Sequence, residues 1–338
     1  YILVKKVLAL CDKEEDYLRH MLDYLEKKSR QPFTVRAFTD VDRLKKFVEK
    51  NETEILMVSE SSYREELEEW PVKHLLVLNE SGNRVGRNAE NISKYQSSEG
   101  IYQAVIGSYV EKEGEIPQRI VTGRQMKIIG NYSPVGRCLQ TTFALSMGQI
   151  LAKKHKTLYL NFEAYSGFGY LLNREFPMDI TDVLYYFRCE KDRLSYRLEG
   201  MIQTLNGLDY IPPVFSYHDL EEVGGKDWID LFKEIEKISE YEYLILDLSD
   251  GMKGLFDVLR ECFRIFTIVK EGNIAEAKLR QYEAVIQSMD YGDIAVKTKR
   301  WMLPEFHRIP YGLEQLTHGE MAAYIKKIIE EEIYGHES

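Results

Sequence analysis

"NYSPVGRCLQTTFALSMGQILA", residues 131–152, is the stretch on which the classification of the chain turns. A short apolar run, "MKIIG", leads into it, and apolar residues at helical spacing carry it onward. Strand, turn and helix in that order is the outline of a phosphate-binding loop. The glycines and the lysine that let such a loop hold a phosphate are mostly absent. The residues around it therefore have to say whether a nucleotide is still handled.

Downstream, apolar bursts at 127–132, 157–162, 207–213, 243–249, 264–270 and 294–299 read as strands, with longer helical patterns between them. The last segment, "GEMAAYIKKIIEEEIYG", places Met321, Tyr324, Ile325, Ile328, Ile329 and Ile333 on one stripe, which predicts a helix docked on the domain. Upstream, strands at 7–12, 33–40, 54–59, 74–79 and 91–96 alternate with helical patterns, including 14–28 and the helix "SEGIYQAVIGSYV". Strands alternating with helices predict parallel sheets covered on both faces. The expected organisation is α/β with two domains: a flavodoxin-like unit at 1–110, a polar Gly- and Pro-containing connection at 111–126, and a larger doubly wound unit at 127–338 with a mostly parallel sheet.

Composition narrows the function classes. The chain has 338 residues, 44% hydrophobic and 30% charged, which describes ordered globular domains. No apolar run reaches the roughly 18–20 residues of a membrane span, so no direct membrane insertion is expected. Cys11, Cys138, Cys189 and Cys262 are scattered without metal-ligand or disulfide spacing, the usage of a reducing, cytoplasmic compartment. A net charge of −10 disfavours nucleic acid, and the one basic run, "VKTKRW" at 296–301, reads as an exposed strand or loop.

The order of elements in the first hundred residues, with a lysine in "SKYQ", resembles the receiver domain of response regulators. A receiver needs acidic residues after its first strand, an aspartate ending the third, a hydroxyl after the fourth and a lysine after the fifth. By position, Cys11 and Asp12 take the acidic site, Ser59 the phosphoacceptor, Asn79 the hydroxyl, and only Lys94 is retained. A serine hydroxyl cannot form an acyl phosphate, and Glu60, one residue on, should point away by strand alternation. The resemblance implies a pseudo-receiver, a vestigial site at Asp12, Ser59, Asn79 and Lys94 on a surface that binds partners.

The second unit is similar to the MinD/ParA class of P-loop ATPases, and within it to the TadZ/CpaE pilus-assembly branch, which joins a receiver-like domain to an ATPase-like one. The resemblance rests on "SKYQS", "DITDVLYYF", "GLDYIPPVFS", "GGKDW", "YEYLILDLSDG" and "IPYG" in this order, and spans nearly the whole chain. That class carries a loop of the form KGGVGKTT. Val135 stands at its cross-subunit lysine, Gly136 keeps the first glycine, and Arg137 and Leu139 replace the next and the last. Cys138 fills the variable position, Gln140 replaces the phosphate lysine, and Thr141 and Thr142 remain. Glycines there adopt positive φ at little cost, whereas an L-residue is penalised by about 1–2 kcal/mol. Each lost charge-assisted contact removes about 1.5–3 kcal/mol.

The resemblance also assigns the remaining positions. Thr141 and Asp247 would hold Mg²⁺ if it binds, and Glu163 would position a water. The helix after the loop still offers free N–H groups to an anion. The bland alternatives are a surface carboxylate for Asp247 and an ordinary post-strand acid for Glu163. The expectation is a non-catalytic scaffold or localisation factor with a degenerate site at Gly136, Arg137, Gln140, Thr141, Thr142, Glu163 and Asp247. No cofactor is expected, beyond weak ATP and Mg²⁺ binding. Pilus or secretion assembly proteins are the implied partners, with a homodimer that does not need nucleotide and recruitment to membrane or cell pole through partners. The alternative is an ATP-binding dimerisation switch with slow ATPase activity.

Overall fold

In the computed structural model, residues 6–27, 33–112 and 125–335 are described. The chain divides into two compact units, Tyr1–Ile116 and Pro117–Ser338. Most of the connection expected at 111–126 lies outside the described residues.

The first unit runs β1 (Lys6–Cys11), α1 (Glu15–Lys27), β2 (Phe33–Phe38), α2 (Val41–Val48), β3 (Thr53–Ser59), β4 (Val72–Asn79), β5 (Glu90–Ser93) and α3 (Ser98–Lys112). Its sheet has the order β2-β1-β3-β4-β5 with every pair parallel, the doubly wound flavodoxin-like order. Parallel strands are buried on both faces, which is why "ILMVS" and "LLVLN" are continuous apolar runs rather than alternating ones. On one face Ala9, Cys11, Leu56, Val58 and Val77 pack under Val41, Leu44 and Val48 of α2. Leu8, Leu10, Ile55 and Met57, which alternate with them, are equally buried on the other face.

The second unit begins with β6 (Lys127–Asn131), α4 (Gln140–Leu151), β7 (Thr157–Asn161), α5 (Phe168–Leu172), α6 (Ile180–Cys189) and α7 (Leu194–Met201). There follow β8 (Gln203–Leu205), β9 (Leu208–Tyr210), α8 (Gly225–Ile238), β10 (Tyr243–Asp247), α9 (Leu255–Glu261) and β11 (Arg264–Val269). It ends with α10 (Asn273–Ser288), α11 (Gly292–Lys297), β12 (Thr298–Met302) and α12 (Gly319–Ile329). The sheet order is β12-β11-β6-β10-β7-β9-β8, parallel except for the β8–β9 hairpin.

Strand alternation splits the core in two. Leu158, Leu160, Leu244 and Leu246 face Ile180, Val183, Trp228, Leu231 and Ile235. Ile129, Tyr159, Ile245 and Phe266 face Phe143 and Met147 of α4 and Met321, Ile325, Ile328 and Ile329 of α12. The C-terminal stripe is thus a docked helix, continued by a π-helical turn over Glu330–Tyr334 that buries Ile333.

Two expectations need correction. The strand read at 294–299 is the helix α11 over Gly292–Lys297, and the edge strand starts only at Thr298. Ile294 alone is buried there while Val296 is 80% exposed, so "IAVK" does not alternate as a strand would. The strand read at 207–213 is three residues, Leu208–Tyr210, paired antiparallel with the unforeseen β8. Asn206 (φ 49°) and Gly207 (φ 86°) make the two-residue turn between them, which needs positive φ at both positions.

Candidate functional site: a phosphate-type loop over a bonded carboxylate

Register decides what lies beneath the loop. β10 sits between β6 and β7, and Asp247 pairs with Asn131 on one side and Asn161 on the other. These three stand two residues beyond Ile245, Ile129 and Tyr159, so they share the face covered by α4. A row of polar side chains therefore ends the apolar face where α4 begins.

The helix starts at Gln140, and this first residue turns inward. Gln140 Nε2 donates to Asp247 Oδ1 at 2.7 Å and to the Leu248 carbonyl at 2.9 Å. Tyr159 Oη donates to Asp247 Oδ2 at 3.0 Å, Asn161 Nδ2 donates to the same oxygen at 3.2 Å, and the Thr141 hydroxyl is also bonded to this carboxylate. Asp247 is 0% exposed. It is not the surface carboxylate allowed as an alternative. Burial raises its pKa against the lowering effect of hydrogen bonds from Gln140, Thr141 and Tyr159. Burial and the nearby Asp247 charge likewise raise the Tyr159 phenol, so it stays a donor.

Over this cluster the loop keeps a left-handed path. Gly136 (φ 68°), Arg137 (φ 51°) and Leu139 (φ 67°) all have positive φ, although two of the three carry side chains. Arg137 is exposed. Val135 is buried, and Ser133 Oγ ties the start of the loop to the Ile268 carbonyl at 2.6 Å. Thr142 is half-buried in the first turn of α4.

Glu163 follows β7, its amide donating to Asn161 Oδ1 at 2.9 Å. Burial, with the charges of Asp247 and Asp250, pushes its carboxyl up to about 7.

In the first unit the ends of β1, β4 and β5 bring Lys94 among carboxylates. Lys94 Nζ lies 2.8 Å from Asp12, 2.8 Å from Glu14 and 3.0 Å from Glu80, and its side chain is 5% exposed. Burial opposes the charge, but these hydrogen bonds override it and raise the pKa. Ser59 Oγ is buried and bonded to Ser62 Oγ at 2.9 Å. Burial pushes the Cys11 thiol up to about 11. Asn79 shapes the loop after β4, accepting from the Gly82 amide at 2.7 Å and donating to Asn91 at 3.1 Å. Glu60 does avoid the site, though not by strand alternation: β3 has ended, and its carboxylate accepts the amides of Glu80 and Ser81 at 2.7 and 2.8 Å from a 3-10 turn.

Residues 4–110 match the family described as TadZ-like, receiver domain. The N-terminal unit is a TadZ-like receiver domain. No curated protein matches the chain. Among solved structures, the chain is similar to a plasmid partition protein from Borrelia burgdorferi bound to AMPPNP. The identity is 14%, over 62% of this chain and 84% of that one, with a TM-score of 0.41. It is similar to the ATP complex of a McdA variant from Cyanothece at 14% identity, over 62% and 80% of the two chains, TM-score 0.43. The MinC:MinD cell division complex of Aquifex aeolicus is 20% identical over 52% and 67%, TM-score 0.39. No residue role is carried over from these structures.

Within the TadZ-like receiver domain, Glu14 and Glu80 are the functional-site residues that sequence reasoning missed. Both closely follow strand ends in the sequence, as Asp12 does. In the second unit Tyr159 was missed, although it shares a face of β7 with Asn161. A larger omission is the set of exposed apolar side chains in the segments that follow the parallel strands in the sequence. Leu139, Tyr165, Tyr170, Leu171 and Phe215 come after β6, β7 and β9, and Ile274, Met302, Ile309 and Tyr311 lie at or beyond the ends of β11 and β12. The cations of "VKTKRW" are engaged: Lys299 with Glu332 at 3.2 Å, Arg300 with Glu283, and Lys297 with the Arg260 carbonyl. No helix among the described residues is long and apolar enough to cross a membrane.

Proposed function

We propose that the chain is a non-catalytic scaffold or localisation factor for a pilus- or secretion-type assembly, acting by protein–protein recognition. The TadZ-like receiver domain supports the setting. One observation carries the rest: Gln140, at the phosphate-lysine position, is hydrogen-bonded at 2.7 Å to Asp247, at the Mg²⁺-supporting position. Both Asp247 oxygens already accept protein donors in a fully buried site, so neither is open to a cation. The residues present do not fit a magnesium–triphosphate group. Two missing lysine contacts, at about 1.5–3 kcal/mol each, correspond to roughly a hundred- to ten-thousand-fold weaker binding.

The receiver domain supports the same reading. Lys94 is neutralised by three carboxylates, which would repel an incoming phosphoryl group. We infer a cytoplasmic protein recruited to membrane or pole by its partners, forming a homodimer that does not depend on nucleotide, since buried Val135 replaces the cross-subunit lysine. Net charge of −10 argues against a nucleic-acid partner. Titration calorimetry with MgATP is the test. No saturable heat at micromolar concentration is expected; one-to-one micromolar binding overturns the proposal.

The second reading is an ATP-binding dimerisation switch with slow ATPase activity. The positive φ of Gly136, Arg137 and Leu139 favours it, because the loop still follows a cradle-like path above a helix N-terminus. Phosphate release above background that vanishes in Asp247→Ala would establish that reading.

A further inference from the structure

The segments following β7, β9 and β10, together with Trp228 of α8, line a cavity of about 20 Å³. Its walls include Phe162, Glu163, Val214, Tyr217, Trp228 and Lys253. Trp228 is almost fully buried and meets Phe162 edge-on, with ring centroids 4.8 Å apart. The space suits one water-sized group, and a primary ammonium is about that size.

The charges around it are unbalanced. Glu163 is half-buried, and no hydrogen bond to its carboxylate is among the causes that shift its pKa. Asp247 of β10 and Asp250 of the following turn add negative charge. Lys253, the cation on the rim, is exposed to solvent. A carboxylate with aromatic walls and no hydrogen-bond donor among the described residues is complementary to a cation rather than to an anion. Tyr165 (88% exposed) and Phe215 (89%) are the next residues in the chain after the lining residues Ala164 and Val214. An apolar rim around a polar centre is the arrangement in which interface anchors are desolvated.

We propose that this cavity receives the ammonium group of a lysine side chain on a protein partner, set against Glu163 and walled by Trp228, Phe162 and Tyr217. The compact ammonium suits the volume, whereas a planar guanidinium does not. The inference rests on the recognition reading above and gives that partner a chemistry.

The test uses the full chain with Trp70→Phe and Trp301→Phe, so that Trp228 alone reports, and n-butylammonium chloride as the probe, without nucleotide. A saturable Trp228 fluorescence change is expected at pH 8. It should weaken about tenfold at pH 6, following the ionised fraction of a carboxyl titrating near 7. Glu163→Gln should abolish it. The proposal is overturned if tetramethylammonium chloride at equal ionic strength gives the same response, or if Glu163→Gln responds like the parent. It is also overturned if only Lys253→Ala makes the probe bind, since Lys253 would then be the occupant. Failure here leaves the MgATP titration untouched, so the two readings fail separately.

Discussion

Arg137 and Leu139 hold backbone conformations that glycine adopts freely, and the exposed Arg137 side chain has no burial to offset the strain. Replacing an exposed L-residue at φ 51° by glycine relieves about 1–2 kcal/mol and returns part of it through the looser unfolded chain. Arg137→Gly should therefore stabilise the protein by about 0.5–1 kcal/mol, seen as a higher urea midpoint; a lower midpoint would mean the arginine makes a contact that matters. Asp247 behaves oppositely. Asp247→Ala strands the buried Gln140 and Tyr159 donors and should cost about 3 kcal/mol, while Asp247→Asn, which keeps an acceptor, should cost less in the same melt. Glu163 adds a pH dependence. Its folded carboxyl titrates near 7 against an ordinary value of 4.5, so the folded state holds the proton across that window and stability falls as pH rises through it. Discounted for half exposure, Glu163→Gln should gain roughly 1 kcal/mol at pH 8 and nothing below about pH 4.5. The identities of Gln140 and Asp247 were legible in the sequence. Their hydrogen bond was not, because it joins residues on separate elements.

At the scale of elements, length decided what could be read. β3, β4, β6 and β10 are buried on both faces, and their continuous apolar runs announced them. β8 has three residues and α11 six, too short for either period to emerge. The stripe of α12 was plain, and its packing shows what it does: Ile325 is fully buried between α4 and the sheet. Gln149 and Ser146 of α4 also bond the carbonyls of Leu313 and Leu316 just before α12. The C-terminal helix thus braces the helix that carries the phosphate-type loop. Ile325→Ala should cost about 3 kcal/mol by leaving a cavity, measured by chemical denaturation, whereas Lys326→Ala on the exposed side should cost little.

Across the whole molecule, charge and apolar surface are distributed in a way that favours recognition. The receiver domain surrounds its one retained lysine with acids, and the second unit spends the cations of its basic edge strand on Glu283 and Glu332. Aromatic and aliphatic side chains, from Tyr165 and Phe215 to Tyr311, are exposed in the segments that follow the strands, alongside charged ones such as Arg137, Lys270 and Glu271. In doubly wound folds ligands bind outside the carboxyl ends of the strands. Large exposed apolar groups there suit a protein partner better than a polyphosphate. A dimer built on such contacts owes nothing to ATP, because the ligand makes no differential contact with monomer and dimer. Light-scattering mass after gel filtration should therefore be the same with and without MgATP. An increase in mass that appears only with MgATP would instead place nucleotide at the interface and restore the loop at 133–142 to the work of a switch.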